Sequence, residues 1–343
     1  MADLTIMGAG IFGLALAYSC ARRGAQVRVI EKRHPGAGSS GGLVGALAPH
    51  VPENWNAKKA LQFDALRMAE GFWTEVAAQS GRDPGYARLG RVQPVAQDKL
   101  DLAQARAESA RDLWQGFATW QVLRRKDAPG LALSDAVNWV VFDTLSARLH
   151  PRKAGAALVA ALDQAGVNIE QGDIPQDGPV IWATGHEGLA DLSRDLGRTM
   201  GTGVKGQSVA LALACPDAPQ IFADGLHIVP HAEGSVAIGS TSERDFDDPD
   251  STDAQCDDLL AKARAICPAL RDAPEIARWA GVRPRAHTRA PLLGPWPGRD
   301  GHFVFNGGFK IGFAMAPALA AMMADLLLDG QDRIPDAFRI APQ

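Results

Sequence analysis

The sequence predicts an α/β protein built around a Rossmann-like nucleotide-binding unit, and three observations carry that prediction. A short apolar strand, Leu4 to Met7, runs into Gly8-Ala9-Gly10-Ile11-Phe12-Gly13, which opens an apolar helix reaching about Arg23. A second strand, Val27 to Ile30, ends at an acid, Glu31, 18 residues after Gly13. Near the other end, the strand His302 to Phe305 enters the glycine turn Asn306-Gly307-Gly308, and an apolar helix from about Ala314 to Leu328 closes the chain.

The elements between follow in order. Gly24 closes the first helix, and a Gly/Ser-rich loop from His34 to Gly45 leads to Ala48-Pro49-His50. Apolar positions at Leu61, Phe63, Ala65, Leu66, Met68, Phe72, Trp73 and Val76 predict an amphipathic helix over Lys58 to Ser80. A second helix is expected from about Lys99 to Trp120, with a short strand and turn around Gly90 before it. Weak β signals at Val137 to Phe142 precede a helix from Lys153 to Ala165, capped by Gly166, and a strand at Val167 to Ile169. Pro179 to Trp182 reads as a buried strand ending in Ala183-Thr184-Gly185. Ser208 to Ala214, Leu226 to Val229 and Ser235 to Ile238 read as strands, the last two joined as a hairpin through Pro230 to Gly234. A helix with an acidic start is expected over Asp253 to Cys267.

Composition bounds the function. Of 343 residues, 46% are apolar and 22% charged, the balance of a globular protein. Thirty-nine acids against 35 bases give a net charge of −4 with no basic run, which argues against a polyanionic partner. Cys20, Cys215, Cys256 and Cys267 form no CxxC pair and have no His at metal-ligand spacing, so no metal site is expected and a reducing compartment fits. The first strand starts at Leu4, leaving no room for a signal peptide, and no apolar run approaches the ~18 residues that cross a bilayer. A cytoplasmic protein without a transmembrane segment is expected.

The glycine turn has a specific chemistry. Gly8 permits the tight turn, Gly10 lets the backbone approach a pyrophosphate, and Gly13 lets helix and strand pack closely. The helix N-terminus presents free N–H groups and a partial positive charge to the phosphates. Glu31 is placed to accept from an adenosine ribose, with Lys32 and Arg33 directly after it. The motif alone does not separate FAD from NAD.

Several further segments together resemble the D-amino-acid oxidase family, in particular its glycine oxidase and sarcosine oxidase branches. Ser39-Ser40 through Gly45-Ala46-Leu47-Ala48-Pro49-His50 is similar to the family's loop over the flavin. Ala183-Thr184-Gly185 resembles its small-residue turn against FAD, Lys205-Gly206-Gln207 its "(R/K)GQ" element, and His227-Ile228-Val229-Pro230 its "YxVP" strand. Gly281-Val282-Arg283-Pro284 with Pro291 to Gly294 resembles "GxRPxTxDxxPxxG", and Gly307-Gly308-Phe309-Lys310-Ile311-Gly312 the closing flavin loop. The chain departs from the family in three places. His227 and His231 stand where a tyrosine and often an arginine occur, Ala286-His287-Thr288 replaces the "TxD" residues, and the segment 172–179 is short.

The resemblance implies a GR2-type FAD-binding domain, interwoven with an α+β substrate domain built on an antiparallel sheet. The expected ranges are 1–57, 148–200 and 281–343 for FAD, and 58–147 and 201–280 for substrate. It implies FAD contacts from Gly8, Gly10, Ile11, Phe12, Gly13, Glu31, Lys32, Ser39, Ser40, Ala46, Leu47, Ala183, Thr184, Gly185, Gly308, Phe309, Lys310, Ile311 and Gly312. The flavin is expected to be noncovalent, since Gly281 falls near where the sarcosine oxidase branch carries its linking cysteine. The implied reaction is oxidative deamination of a small amino acid (glycine, sarcosine or D-amino acid type) by hydride transfer to flavin N5, with O2 or a quinone as acceptor and H2O2 as the product with O2. Such a reaction rests mainly on positioning. Arg283 is the expected carboxylate clamp, Lys310 a second cation, and His227 and His50 further candidates. Alternatives are a flavin-dependent 2-hydroxy-acid dehydrogenase with a histidine base, a tRNA-modifying flavin domain (disfavoured by the charge), an NAD-dependent dehydrogenase, and a flavin-binding protein without turnover.

Overall fold

The computed structural model describes residues 3–174 and 178–341. Three residues of the short 172–179 segment, and the outermost positions of the first and last domain ranges, lie outside the described residues.

Two sheets organise the chain. The first is mostly parallel, in the order β15 (Leu292–Pro295), β16 (His302–Asn306), β9 (Val180–Trp182), β1 (Leu4–Met7), β2 (Val27–Glu31) and β8 (Ile169–Gln171). Strand β1 pairs in parallel with both β2 and β9, and only β15 runs antiparallel to its neighbour. All four residues of β1 are buried, as a central strand covered on both faces must be. Helix α1 (Ile11–Ala21) is apolar nearly all round because it is sandwiched between this sheet and α7 (Gly312–Asp329).

The second sheet is mostly antiparallel, in the order β14 (Glu275–Ala286), β10 (Gly201–Ala212), β13 (Ser235–Gly239), β12 (Leu226–Pro230), β11 (Gln220–Ala223), β4 (Arg91–Val95), β6 (Trp139–Asp143) and β5 (Trp120–Arg124). Its one parallel pair is β11 with β4. A two-stranded ribbon of β3 (Ala46–Leu47) and β7 (Ala147–Arg148) lies apart from both sheets. Helices α2 (Ala57–Ser80), α4 (Pro151–Gln164) and α7 share the large core with α1, while α6 (Gln255–Ile266) packs on the second sheet. Local chemistry sets the ends of α2: Asn56 accepts from the Lys59 amide at its start, and Gly81 takes the left-handed conformation at its end.

Several boundaries differ from the sequence reading. The helix expected to reach Trp120 is α3 (Leu100–Leu113). It stops because Gln115 and Gly116 turn with positive φ and Trp120 already belongs to β5. The strand expected at Val167 to Ile169 is β8, shifted two residues later to pair with the end of β2. Helix α5 (Gly185–Asp195) was not expected, and β10 begins seven residues before Ser208. Strand β14 runs through the expected domain boundary at 281, so Gly281 to Ala286 belong to the antiparallel sheet. Helix α7 starts at Gly312, and its 18 residues are long and apolar enough to span a bilayer, contrary to the expectation from run length; half of it is buried against the fold.

A buried ion pair ties β4 to β6. Arg91 and Asp143 face each other in register with Nε to Oδ2 at 3.0 Å and side chains 6% and 0% exposed. Asp143 also accepts from the Ser146 amide. Asp143→Ala should leave a buried guanidinium uncompensated and lower the unfolding free energy by about 3–5 kcal/mol. Denaturant unfolding of the purified variant measures this, and a loss below about 1 kcal/mol would show the pair to be dispensable.

Candidate active site

A cavity of about 570 Å³ runs between the carboxyl ends of the parallel strands and the inner face of the antiparallel sheet. At one end the β1–α1 turn forms its floor. A Cβ on Gly8, whose φ is +102°, would sit 2.6 Å from the Ala183 carbonyl oxygen. One on Gly13 would sit 1.9 Å from the Gly8 oxygen. The two glycine turns therefore touch backbone to backbone, and no other residue fits either position. Ser40 Oγ accepts from the Ile11 amide at 2.9 Å, which draws the 38–46 loop over the helix N-terminus.

Glu31 holds this end together. Its carboxylate accepts from the amides of Ala9 (2.7 Å) and Arg33 (2.9 Å) while lining the cavity. Lys32 pairs with Glu187 at the start of α5 at 3.5 Å. Beyond it, Ala183, Thr184 and Gly185 line the wall, and the Ala183 amide donates to the Met7 carbonyl. The closing loop lies opposite. Phe12 stacks on Phe305 with centroids 4.4 Å apart, and a Gly308 Cβ would meet the Phe12 ring at 3.0 Å.

The other end lies under the antiparallel sheet. Phe222 and His227 are cross-strand partners on β11 and β12, with ring centroids 4.6 Å apart. His227 is half-buried with its Nδ1 enclosed and unpartnered. Burial, and then the charges of Arg91 and Lys310, push its pKa down to about 3, so the ring is neutral. Arg283 is 8% exposed and donates through Nη1 to Ser240 Oγ (2.6 Å). Through Nη2 it donates to the carbonyls of Thr241 (2.6 Å) and Lys205 (3.1 Å) and to Ser242 Oγ (3.5 Å). Burial lowers its pKa to about 10, still charged at neutral pH, with Glu243 opposing the shift. Its Nε has no partner. Arg283, Arg285 and Lys310 all approach the Phe309 ring, at 5.5, 5.8 and 5.8 Å from its centroid. Partial burial and then the Arg283 charge lower the pKa of Lys310, which lies at the solvent-exposed rim.

The structure thus brings most of the sequence candidates to one cavity. Gly8, Gly10, Ile11, Phe12, Glu31, Lys32, Ser39, Ser40, Ala46, Ala183, Thr184, Gly185, His227, Arg283, Gly308, Phe309, Lys310 and Gly312 line it. Four candidates lie outside the lining. Gly13 supports the turn from beneath, and Leu47 is wholly buried in the main core, which Ile311 also packs against. His50 faces α2, where its amide and Nδ1 both meet Gln62 Oε1. Trp279, Phe222, Ser208, Ser240 and Asn306 line the cavity without having been singled out. Trp279 had a readable signal, lying two residues before Gly281 and so on the same strand face.

The donor set fits a flavin dinucleotide. Four enclosed polar atoms without a protein partner, Thr184 Oγ1, Ser208 Oγ, His227 Nδ1 and Arg283 Nε, belong to residues that line the cavity. The glycine cradle and the α1 N-terminus match a pyrophosphate. No cysteine is among the described lining residues.

Comparison with known proteins agrees with this geometry. The sequence profile of the family described as FAD dependent oxidoreductase matches residues 3–326. A glycine oxidase of Pseudomonas aeruginosa is 26% identical, over 99% of this chain and 98% of its own. Among solved structures, a glycine oxidase from Geobacillus kaustophilus superposes with a TM-score of 0.86 at 23% identity, covering 100% of this chain and 99% of that one. An iminodiacetate oxidase from Chelativorans sp. BNC1 superposes at 0.84 with 22% identity, covering 98% of each chain. At these identities the structural likeness speaks for the fold.

The two low histidine pKa values set a pH dependence. His231, buried with Nε2 at 2.9 Å from the Leu43 oxygen, is pushed down to about 4, chiefly by burial. An unfolded chain takes up these protons near 6.5 and the folded one only near 4 and 3, so stability present above about 6.5 is lost as pH falls. The melting temperature should therefore drop between pH 7 and 5, where few carboxylates titrate. The drop should shrink in the His227→Asn/His231→Asn double variant. Equal drops would mean that neither ring is held neutral by the fold.

Proposed function

The chain belongs to the D-amino-acid oxidase family of FAD-dependent oxidoreductases, and on that premise we propose that it oxidises the carbon–nitrogen bond of a small amino acid. The substrate is of the glycine, sarcosine or D-amino acid type. The amino acid loses two electrons and a proton pair to become an imine, which water hydrolyses to an oxo acid and ammonia or an amine. When bound, FAD supplies the two-electron chemistry, taking hydride at N5 and returning the electrons to O2 as H2O2. The flavin is held noncovalently, in keeping with the cysteine-free lining. Residues 1–57 and 148–200, with the chain after β14, are its binding unit. Residues 58–147 and 201–280, together with the rest of β14, form the substrate unit.

One observation carries the reading: a charged, 8%-exposed arginine lines the cavity beneath the antiparallel sheet. A guanidinium held in so dry a place favours a planar anion, and a substrate carboxylate is one. With the carboxylate fixed there, the α-carbon is held over the flavin site and little further acid–base work is needed. Lys310 adds positive charge at the rim. His227, neutral and lining the cavity, orients the bound amine or carboxylate. The Phe222–His227 pair roofs the space and keeps the substrate small.

The 2-hydroxy-acid alternative needs a base for the hydroxyl proton. A ring with a pKa near 3 is a poor one, and His50 faces Gln62 away from the cavity. Anaerobic addition of glycine, sarcosine, D-alanine, D-proline and L-2-hydroxyglutarate to the purified flavoprotein tests the assignment. Bleaching of the flavin band, at roughly 450 nm, is expected with at least one amine and not with the hydroxy acid; the reverse would transfer the reading to the dehydrogenase. Arg283→Met should lower kcat/KM for that amine by roughly two to three orders of magnitude while FAD stays bound.

A further inference from the structure

Arg283 does not hold its own position; its surroundings do. Its four acceptors are the Lys205 carbonyl and three consecutive residues after β13, Ser240, Thr241 and Ser242. Its guanidinium lies flat on Gly206, where a Cβ would meet Nη2, Cζ and Nε at 2.3, 2.5 and 3.0 Å.

The 240–242 strap is in turn fixed by Glu243 and Gln207. Lys205 and Glu243 exchange backbone hydrogen bonds at 2.9 and 3.0 Å. The Gln207 amide donates to Thr241 Oγ1 at 2.8 Å, and the Thr241 amide to the Gln207 carbonyl at 3.2 Å. The Glu243 carboxylate accepts from the Thr241 hydroxyl and from Gln207 Nε2 (3.2 and 3.3 Å), and lies 3.9 Å from Lys205 Nζ. Gln207 Oε1 accepts from the Asp253 amide at 2.9 Å, anchoring the arrangement to the start of α6.

The charge count has the same meaning. The Lys205 side chain is 4% exposed and that of Glu243 11% exposed, and Glu243 stands within salt-bridge reach of Lys205, whose charge also acts on the exposed Asp248 and Asp253. Among the described residues, Glu243 is the acid whose charge opposes the loss of the Arg283 proton. Arg283 itself lines the cavity.

We propose that Glu243, together with Lys205, Gly206 and Gln207, positions Arg283 so that the arginine meets the substrate carboxylate in a fixed orientation. The proposal rests on the reading of Arg283 as the carboxylate clamp. Glu243 is a positioning residue, acting through the strap and touching no substrate. A glutamine in its place accepts on one oxygen only and sets an NH2 group against that of Gln207, so the strap loosens and both cations lose their anion. An alanine at 206 leaves every charge in place, and its methyl group drives the guanidinium off its seat.

The test uses the FAD-loaded full chain, with acetate and propionate titrated against the flavin spectrum, followed by kcat and KM for the amine that bleaches it. Glu243→Gln and Gly206→Ala should each weaken carboxylate binding and raise KM by about ten- to a hundredfold. FAD retention should change little in Gly206→Ala. Unchanged or tighter carboxylate binding in both variants would overturn the proposal. Arg283→Met separates the two levels. If it leaves carboxylate binding intact, the clamp reading itself fails. If it abolishes binding while the other two variants bind normally, only the positioning role fails. Should Glu243→Gln not retain FAD, Gly206→Ala carries the test alone.

Discussion

The pairing of β14 with β10, from Gly201↔Ala286 to Leu211↔Glu275, fixes most of what surrounds the cavity. Side chains alternate along a strand, so Trp279, Gly281, Arg283 and Arg285 share one face of β14. Gly206 stands opposite Gly281 in that register. Two facing glycines leave a shallow slot, and the neighbouring large side chains lie across it. The Trp279 ring crowds Gly281 and reaches Gly42 of the 38–46 loop, while the Arg283 guanidinium covers Gly206. The end of the same strand anchors the closing loop, because the Phe309 amide donates to the Pro284 carbonyl and Arg285 bridges to Gly308. A slip of one residue in this register would turn all of these groups to the other face. The substrate wall, the flavin loop and the closing loop therefore share one determinant.

Burial explains why the site is polar only where it has to be. An unpartnered polar atom in a dry interior costs about 1–3 kcal/mol, and the fold satisfies such atoms along its strands and caps. The enclosed exceptions Thr184 Oγ1, Ser208 Oγ, His227 Nδ1 and Arg283 Nε collect around one cavity. Others are scattered through the core, such as the ring nitrogens of Trp73 and Trp114, and share no cavity. These four atoms are themselves enclosed, and what they share is that their residues line one cavity.

The sequence made the parallel half of the fold readable because that half is set by local rules. A strand, a glycine turn and a helix with an acid on the next strand can be recognised over about thirty residues, and Gly8, Gly10 and Glu31 stand where that pattern puts them. The antiparallel half depends on pairing between distant segments. Gly201 to Gly206 reads as a loop by composition yet forms half of the longest pairing in the second sheet, since its glycines admit Arg283 and Val282. The Ser240-Thr241-Ser242-Glu243 strap has no local signature, and its meaning comes only from Lys205 and Gln207 across the sheet. His50 illustrates the opposite failure. Its neighbours in sequence line the flavin loop, but a Gln62 on α2 captures its ring.

The two ends of the cavity carry opposite charge, and that polarity gives a ligand a direction. Glu31, Asp173, Glu187 and Asp191 outnumber Lys32 and Arg33 at the end beside β2 and α5, whereas Arg283 and Lys310 line the end beneath the antiparallel sheet. Between them, the glycine cradle and the α1 N-terminus offer N–H groups without a side-chain cation. On the proposed reading, a bound dinucleotide would set its sugar hydroxyls toward the carboxylates, its phosphates at the helix N-terminus and its ring toward the cationic end. The same positive end draws in a small anion and disfavours a bare amine. On the proposed reading, selection by charge would precede selection by size, with the Phe222–His227 roof acting on what Arg283 admits.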